Sequence, residues 1–410
     1  MLFKSGFSSK APSTESPFTH YLAFILISLL LFTNINKVIA NELPVNWQDL
    51  PEPYHTKSAV NPPVVISRPD GAEFNLPDGF VIEEYLSGFE LPRFMALGPN
   101  NEILVSDMSV GTVYVIKDKV ARKLVEGLDR PYGLAFYKQW LYVAEASAVK
   151  RYVYDTESLT VAEGEQVISL KQHASGHSTR TILFDHVNDK LYLSVGSASN
   201  VSLGEAPIRA AISRYNPDGS GHEIFASGIR NGVGMRWYPG SRDLWVTCHE
   251  RDGLGDDLVP DYFTKVDQGG FYGWPYAYIG PHEDPRHEGV APEKVKQTLY
   301  PSVILGGHVG SLDVIFYTGD QFPAKYRGGA FIAFHGSWNR WKRNGYKIAF
   351  VPFKQGKPTA GPEDFLTGWM LGEFKREVWG RPVGLLQLAD GSLLVTDDGA
   401  GKIWRISYTK

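Results

Sequence analysis

The chain has one cysteine, Cys248, in 410 residues, which excludes an intrachain disulfide and leaves stability to packing and closure of the fold. It has no basic run and a formal net charge of -4, so it carries no electrostatic footprint for nucleic acid. No GxGxxG follows a strand pattern, and a Walker loop, CxxC, HExxH and GxSxG are all missing, which removes support for nicotinamide, nucleotide, zinc and serine-hydrolase chemistry. The apolar run Tyr21 to Phe32 is shorter than the roughly 20 residues that span a bilayer.

That run follows Lys4 and Lys10 and precedes Val38-Ile39-Ala40, small residues of the kind a signal peptidase reads. The three-part pattern predicts a signal peptide over residues 1–40 and an exported, periplasmic protein, with an uncleaved membrane anchor as the alternative. The remaining chain is longer than one compact core usually holds unless the architecture is modular. Its 42 glycines, 26 prolines and 13% aromatic residues suit short strands joined by tight turns.

Four segments repeat one pattern of turn, short apolar strand, polar turn and alternating apolar residues. They start at Leu91, Arg130, Arg230 and Arg381, and two looser copies contain TRTILFDHVNDKLYLSVGS and SLDVIFYTGDQFPAKYRGGAFIAFHGS. Alternation such as Ile103, Val105 and Leu393, Val395 marks half-buried strands, and the NN, DG and PG dipeptides are hairpin turns. Six such units predict an all-β, six-bladed β-propeller over residues 76–410, with GFVIEEYL (Gly79 to Leu86) completing the last blade. Residues 41–75, rich in proline, read as a wrapping arm. An irregular pair of β-sandwiches is the competing architecture.

In a propeller, functional groups gather where loops meet the central channel. His177, in SGHSTRTILF, can accept a proton from a substrate hydroxyl, or it is a loop histidine satisfied by backbone. Arg230 and Asn231 offer a two-pronged donor and a carboxamide to a planar ligand bearing carboxylates and carbonyls, or they form an ordinary turn before Gly232. The loop His249 to Asp257 offers oxygen ligands for a hard cation without the spacing of an EF-hand, or is a solvated acidic loop. In HGSWNR and WGRP, Trp338 or Trp379 can stack on a flat ring and Arg381 can pair with a carboxylate, although tryptophan also serves packing between blades.

Taken in order, GHSTR, SVGSASN, GIRNGVGM, GGFYGWP, AFIAFHGSWNR and GRPVGLL resemble the glucose/sorbosone dehydrogenase family, sorbosone type, from about Gly79 to the C-terminus. The resemblance implies a six-bladed propeller holding pyrroloquinoline quinone and Ca2+ that oxidises an aldose or sorbosone-like sugar. It implies that His177 is the general base and that Arg230, Asn231 and Arg381 contact the quinone. Ser337 or Arg340 stands where the family has a cofactor lysine, and Trp379 where it has an arginine. Backbone carbonyls around Arg251 and Asp252 fall at the family's calcium site, and Asp256 or Asp257 at an acid near the substrate. Ser197 replaces an aspartate that orients the catalytic histidine, and Pro131 or Tyr132 stands near an expected glutamine. Electrons would leave to a periplasmic acceptor, a cytochrome or a quinone. A non-catalytic binding propeller and a calcium-dependent propeller lactonase are the alternative functions.

Overall fold

The computed structural model describes residues 1, 2, 6 and 49–409. The expected signal peptide and the first residues of the arm therefore fall outside the described residues, apart from those three. Among the described residues no helix is long and apolar enough to cross a membrane.

Six antiparallel sheets form the blades, five with four strands and the second with five, because Thr160–Val161 and Glu165–Ser169 both pair with Ala148–Asp155. Their first two strands are Pro92–Leu97 and Ile103–Asp107 in blade 1, Leu134–Tyr137 and Trp140–Glu145 in blade 2, and Arg180–Asp185 and Lys190–Val195 in blade 3. Blade 4 begins with Gly232–Trp237 and Leu244–Cys248, blade 5 with Ser311–Phe316 and Ala330–Phe334, and blade 6 with Pro382–Gln387 and Leu393–Asp397. The ring closes as the sequence predicts: Phe80–Ser87 is the outer strand of blade 6, pairing antiparallel with Lys402–Tyr408 from Phe80 opposite Tyr408 to Ser87 opposite Lys402. Closure uses both ends of the chain and leaves no open sheet edge at the seam.

The second strands are buried on both faces, more than the half-burial expected from their alternation. The reason is that each blade is sandwiched between two others. Leu393 and Val395 pack toward blade 5 with Phe331 and Ile348, whereas Leu394 between them packs toward blade 1 with Ile103 and Val105. Period 2 is thus shared between two apolar interfaces. Around the axis, Phe94, Tyr132, Val233, Leu312 and Val383 from five blades form a separate cluster that plugs the channel.

A repeated hydrogen bond ties blade to blade. The hydroxyl of Ser106 donates to the carbonyl of Tyr132, Ser194 to Gly232, Thr247 to Leu312 and Thr396 to Arg93, at 2.8, 2.7, 2.5 and 2.6 Å. Each comes from a second strand and reaches the start of the next blade's inner segment, satisfying a buried carbonyl. The arm is fixed by Val64–Val65, parallel to Glu377–Val378, and by Phe74, inserted among Trp369, Trp379 and Trp404. Trp379 is therefore packing: it is buried and donates its indole N–H to the Gly368 carbonyl.

Candidate active site at one end of the channel

Strand register decides which side chains meet at this end. The amide just past the second strand donates to the carbonyl just before the first: Met108 to Leu91, His249 to Asn231, His335 to Gly310 and Asp398 to Arg381. His249, His335 and Asp398 therefore hold equivalent places on blades 4, 5 and 6, with Asn231 and Arg381 opposite two of them.

His177 enters from the loop before blade 3. Its Nδ1 lies 2.8 Å from the Ser197 carbonyl oxygen, which only accepts, so Nδ1 carries the proton and Nε2 keeps its lone pair. Ser197 Oγ is 3.2 Å away and donates to the Ser199 carbonyl at 2.6 Å. The close approach needs glycine on both sides: a Cβ at Gly176 would lie 2.4 Å from Ala198 Cα, and one at Gly196 would lie 2.3 Å from Asn231 Oδ1. Burial, then the Arg230 charge, push the imidazole down to about 3, so it is neutral at ordinary pH.

Arg230 and Asn231 are both buried. The guanidinium is built into blade 4 by the carbonyls of Glu250 at 2.8 Å and Asn200 at 3.1 Å, and by Asn200 Oδ1 at 3.0 Å. Asn200 is the hub of this corner. It also accepts the Asp252 amide at 2.9 Å, and its carbonyl takes the indole N–H of Trp274 from the GFYGWP turn at 2.9 Å.

On the far side, His335 Nε2 donates to Asp398 Oδ1 at 2.8 Å, and Asp398 also pairs with Arg93. Burial opposes ionisation of Asp398, but His335 and Arg93 outweigh it and hold the carboxyl below its usual range. Burial and Arg381 push His335 down to about 4, and burial and Arg230 do the same to His249. Arg381 reaches only the carbonyls of His335 and Gly336, at 3.3 and 3.5 Å, and no carboxylate among the described residues lies within ion-pair distance. It is a cation with donors to spare.

The other expected residues sit elsewhere. The Arg251 side chain is wholly buried between Glu250 and Asp284 at 3.0 and 3.2 Å, a structural ion network. The Asp252 carbonyl already accepts from Asn200 Nδ2 at 2.9 Å and Arg286 at 2.8 Å, and its carboxylate accepts from Asn339. Asp256, Asp257 and Arg340 form one rim cluster: Arg340 pairs with Asp257 at 2.6 Å and donates to the Asp256 carbonyl at 3.0 Å. The arm touches Asp256, with Thr56 Oγ1 accepting its amide at 2.7 Å, and leaves the Asp257 side chain half exposed. Ser337 is buried and accepts the Asn344 amide at 3.0 Å, shaping its own loop. Trp338 is 40% exposed, its carbonyl taken by the Asn61 amide. Asn200, Arg93 and Asp398 join the site without a motif that marks them in the sequence, and His249 and His335 join it from motifs that assign them no role.

The sequence profile of the TrAA12-like family matches residues 74–259 and 292–409. The chain belongs to this family. This TrAA12-like chain is 30% identical to an uncharacterized protein of Borreliella burgdorferi, over 82% of its own length and 91% of that protein. It is 22% identical to a pyrroloquinoline quinone-dependent pyranose dehydrogenase of Coprinopsis cinerea over 82% of its length, but spans only 54% of that enzyme. Among solved structures, the Trichoderma reesei family AA12 protein superposes with a TM-score of 0.71 at 21% identity, covering 84% of this chain and all of that one. The holo quinone domain of a Coprinopsis cinerea pyranose dehydrogenase gives 0.70 at 20% identity, over 85% and 100%. Both likenesses show the propeller fold.

The donor set suits a flat polycarboxylate quinone. Besides the spare donors of Arg381, the buried Nε–H of Arg93 has no partner among the described residues, while the Oδ1 atoms of Asn231 and Asn339, also without partners there, can only accept. A metal is less well served: among those residues no group of three or more His, Cys, Asp or Glu side chains converges.

Proposed function

We propose that this chain oxidises a pyranose or related aldose, a sorbosone-like sugar included, with pyrroloquinoline quinone as cofactor and His177 as general base. The observation that carries the reading is one channel end that combines a neutral imidazole of fixed tautomer with an arginine that has no carboxylate of the described residues within ion-pair distance. The names of the pyranose dehydrogenases that share the fold support it.

Arg381, Arg230, Asn231 and Arg93 would hold the quinone, by charge-assisted hydrogen bonds to its carboxylates and carbonyls. When bound, the quinone supplies the two-electron acceptor for a hydride leaving the sugar's anomeric carbon. His177 Nε2 takes the proton of the anomeric hydroxyl, while Nδ1–H stays on the Ser197 carbonyl and keeps the ring aimed. The neighbouring arginines disfavour imidazolium in the resting site and so keep the base ready. Asp256 or Asp257, on the rim, would meet the outer sugar hydroxyls, and Ser337, Trp338 and Arg340 would shape that side. Calcium would need the carbonyls of Arg251 and Asp252, and the latter already accepts from Asn200 and Arg286. Electrons then pass to a cytochrome or quinone outside the cytoplasm.

Titration of the exported protein with the quinone, followed by absorbance during addition of an aldose panel, tests the proposal. Stoichiometric binding and bleaching by a sugar are expected. No binding at micromolar quinone would replace the reading with a binding propeller, and lactone hydrolysis that requires only calcium would replace it with a lactonase.

A further inference from the structure

We propose that Arg180 is the positioning residue for His177: its buried guanidinium gathers three carbonyls of the 173–179 loop and so fixes where the imidazole stands. Nη1 donates to the carbonyls of His177 at 2.6 Å and Thr179 at 2.7 Å, and Nη2 to that of His173 at 2.5 Å. The side chain is fully buried, with no carboxylate of the described residues within ion-pair distance. A buried arginine usually meets an acid; this one spends both Nη groups on the main chain of a single loop and leaves its Nε–H without a partner among the described residues. That loop has little regular structure of its own beyond the 3-10 turn Lys171–His173, so its shape must be imposed from outside. Arg130 adds a fourth bond, to the Ala174 carbonyl at 3.1 Å, and Gly176 lies flat against Ala198. The main chain of Arg180 is anchored in turn, its carbonyl accepting the Gly133 amide of blade 2 at 3.0 Å.

The planar fork of arginine is what this task needs. A lysine ammonium at the same place keeps the charge but cannot reach carbonyls spread over seven residues in one plane. Position and charge can therefore be separated. The charged and titratable groups that act on His177 are Arg230, His249 and Arg180, and the first of these outweighs Arg180. Arg180 is itself pushed down to about 9 by burial, Arg209 and Arg130, with Asp129 opposing.

The inference rests on His177 being the base, but its first test needs no cofactor. In quinone-free protein labelled with 15N at histidine, the His177 ring should show a single Nδ1–H tautomer, and Arg180→Lys and Arg180→Gln should both mix the tautomers. In the loaded enzyme both variants should lose about 100-fold in kcat, the scale of a 1 Å misplacement, with KM and quinone affinity unchanged within error. The acid limb of the pH profile should stay in place for Arg180→Lys and move to higher pH for Arg180→Gln, which removes a positive neighbour. Added guanidinium ion should restore part of the kcat of Arg180→Ala. Unchanged ring signals with wild-type kcat in either folded variant would overturn the proposal. If neither folds, slow exchange of the Arg180 Nη protons in the wild type is expected, and free exchange would overturn it. A wild type that binds no quinone defeats the dehydrogenase reading while leaving the ring test intact.

Discussion

Just past the second strand, blades 4, 5 and 6 carry His249, His335 and Asp398, where blades 1, 2 and 3 carry Met108, Ala146 and Gly196. The backbone of blade 1 does what that of the polar blades does, since Met108 makes the same amide bond to its first strand as His335 does. What differs is the surroundings. Arg230, Arg381, Arg93 and Asp252 stand beside the polar set, whereas Met108 packs against the Phe94 and Tyr132 plug. Closure of the ring is a symmetric problem solved by apolar faces, and chemistry is added on one half of it without changing the register. Blade 3 is the exception that completes the site, because its small Gly196 makes room for His177 brought in by a loop.

The largest way to break that division is on the loop itself. His177→Ala should lower kcat by about 10²- to 10⁴-fold, the usual range for removing a general base, with the quinone still bound. Turnover near wild type, in single-turnover absorbance, would move the base to His249, whose ring has no hydrogen-bond partner among the described residues. Next in size, Arg381→Ala should weaken the quinone by roughly 10- to 100-fold, as expected for a charge-assisted hydrogen bond, in a fluorescence titration. Leu91→Ala, at the matching place of blade 1, should leave that affinity alone.

Much of the fold was legible in the sequence. Alternation in segments such as LLVTDDGAGKIWRI and the hairpin dipeptides between them carry the strands, and six copies carry the ring. The site was legible only where a motif drew attention, as with His177, Arg230, Asn231 and Arg381. Asn200 has no pattern of its own; it matters because the loop after the second strand of blade 3 reaches Arg230 of blade 4. Asp398 and His335 are marked only by an alignment of the six repeats on their second strands, which puts MS, AS, GS, HE, HG and DG in one column. The roles of Arg251, Asp256 and Asp257 depended on which way each loop turned, and an acidic, glycine-rich stretch leaves that to the arm and to Arg286.

Acid should find the polar half first. His177, His249 and His335 lie at about 3, 4 and 4 in the folded chain, below their ordinary value, so unfolding takes up protons. Their contribution to stability is complete above roughly pH 6.5 and is lost as pH falls toward about 4 and then about 3. Urea midpoints should therefore decline from pH 6.5 to 4, and His249→Asn should flatten the decline. A flat wild-type profile would mean that these imidazoles bind protons in the fold as they do in the unfolded chain. Smaller again, Thr247→Val should cost about 1–3 kcal/mol in urea unfolding, because it leaves the Leu312 carbonyl and the Gly234 amide without their hydroxyl partner.

The smallest effect should come from transplanting the chemistry. Met108→His puts an imidazole at the blade 1 position equivalent to His249 and His335, on the same amide bond to the first strand. It gains neither a paired carboxylate like Asp398 nor an arginine with spare donors like Arg381, and it stands at the edge of the apolar axial cluster. The expected outcome is a stability loss of about 1 kcal/mol from polar substitution in packed surroundings, with quinone affinity and kcat unchanged. Partial recovery of kcat when Met108→His is combined with His177→Ala would show the opposite: that the strand-end position itself, and not the company it keeps, equips the channel.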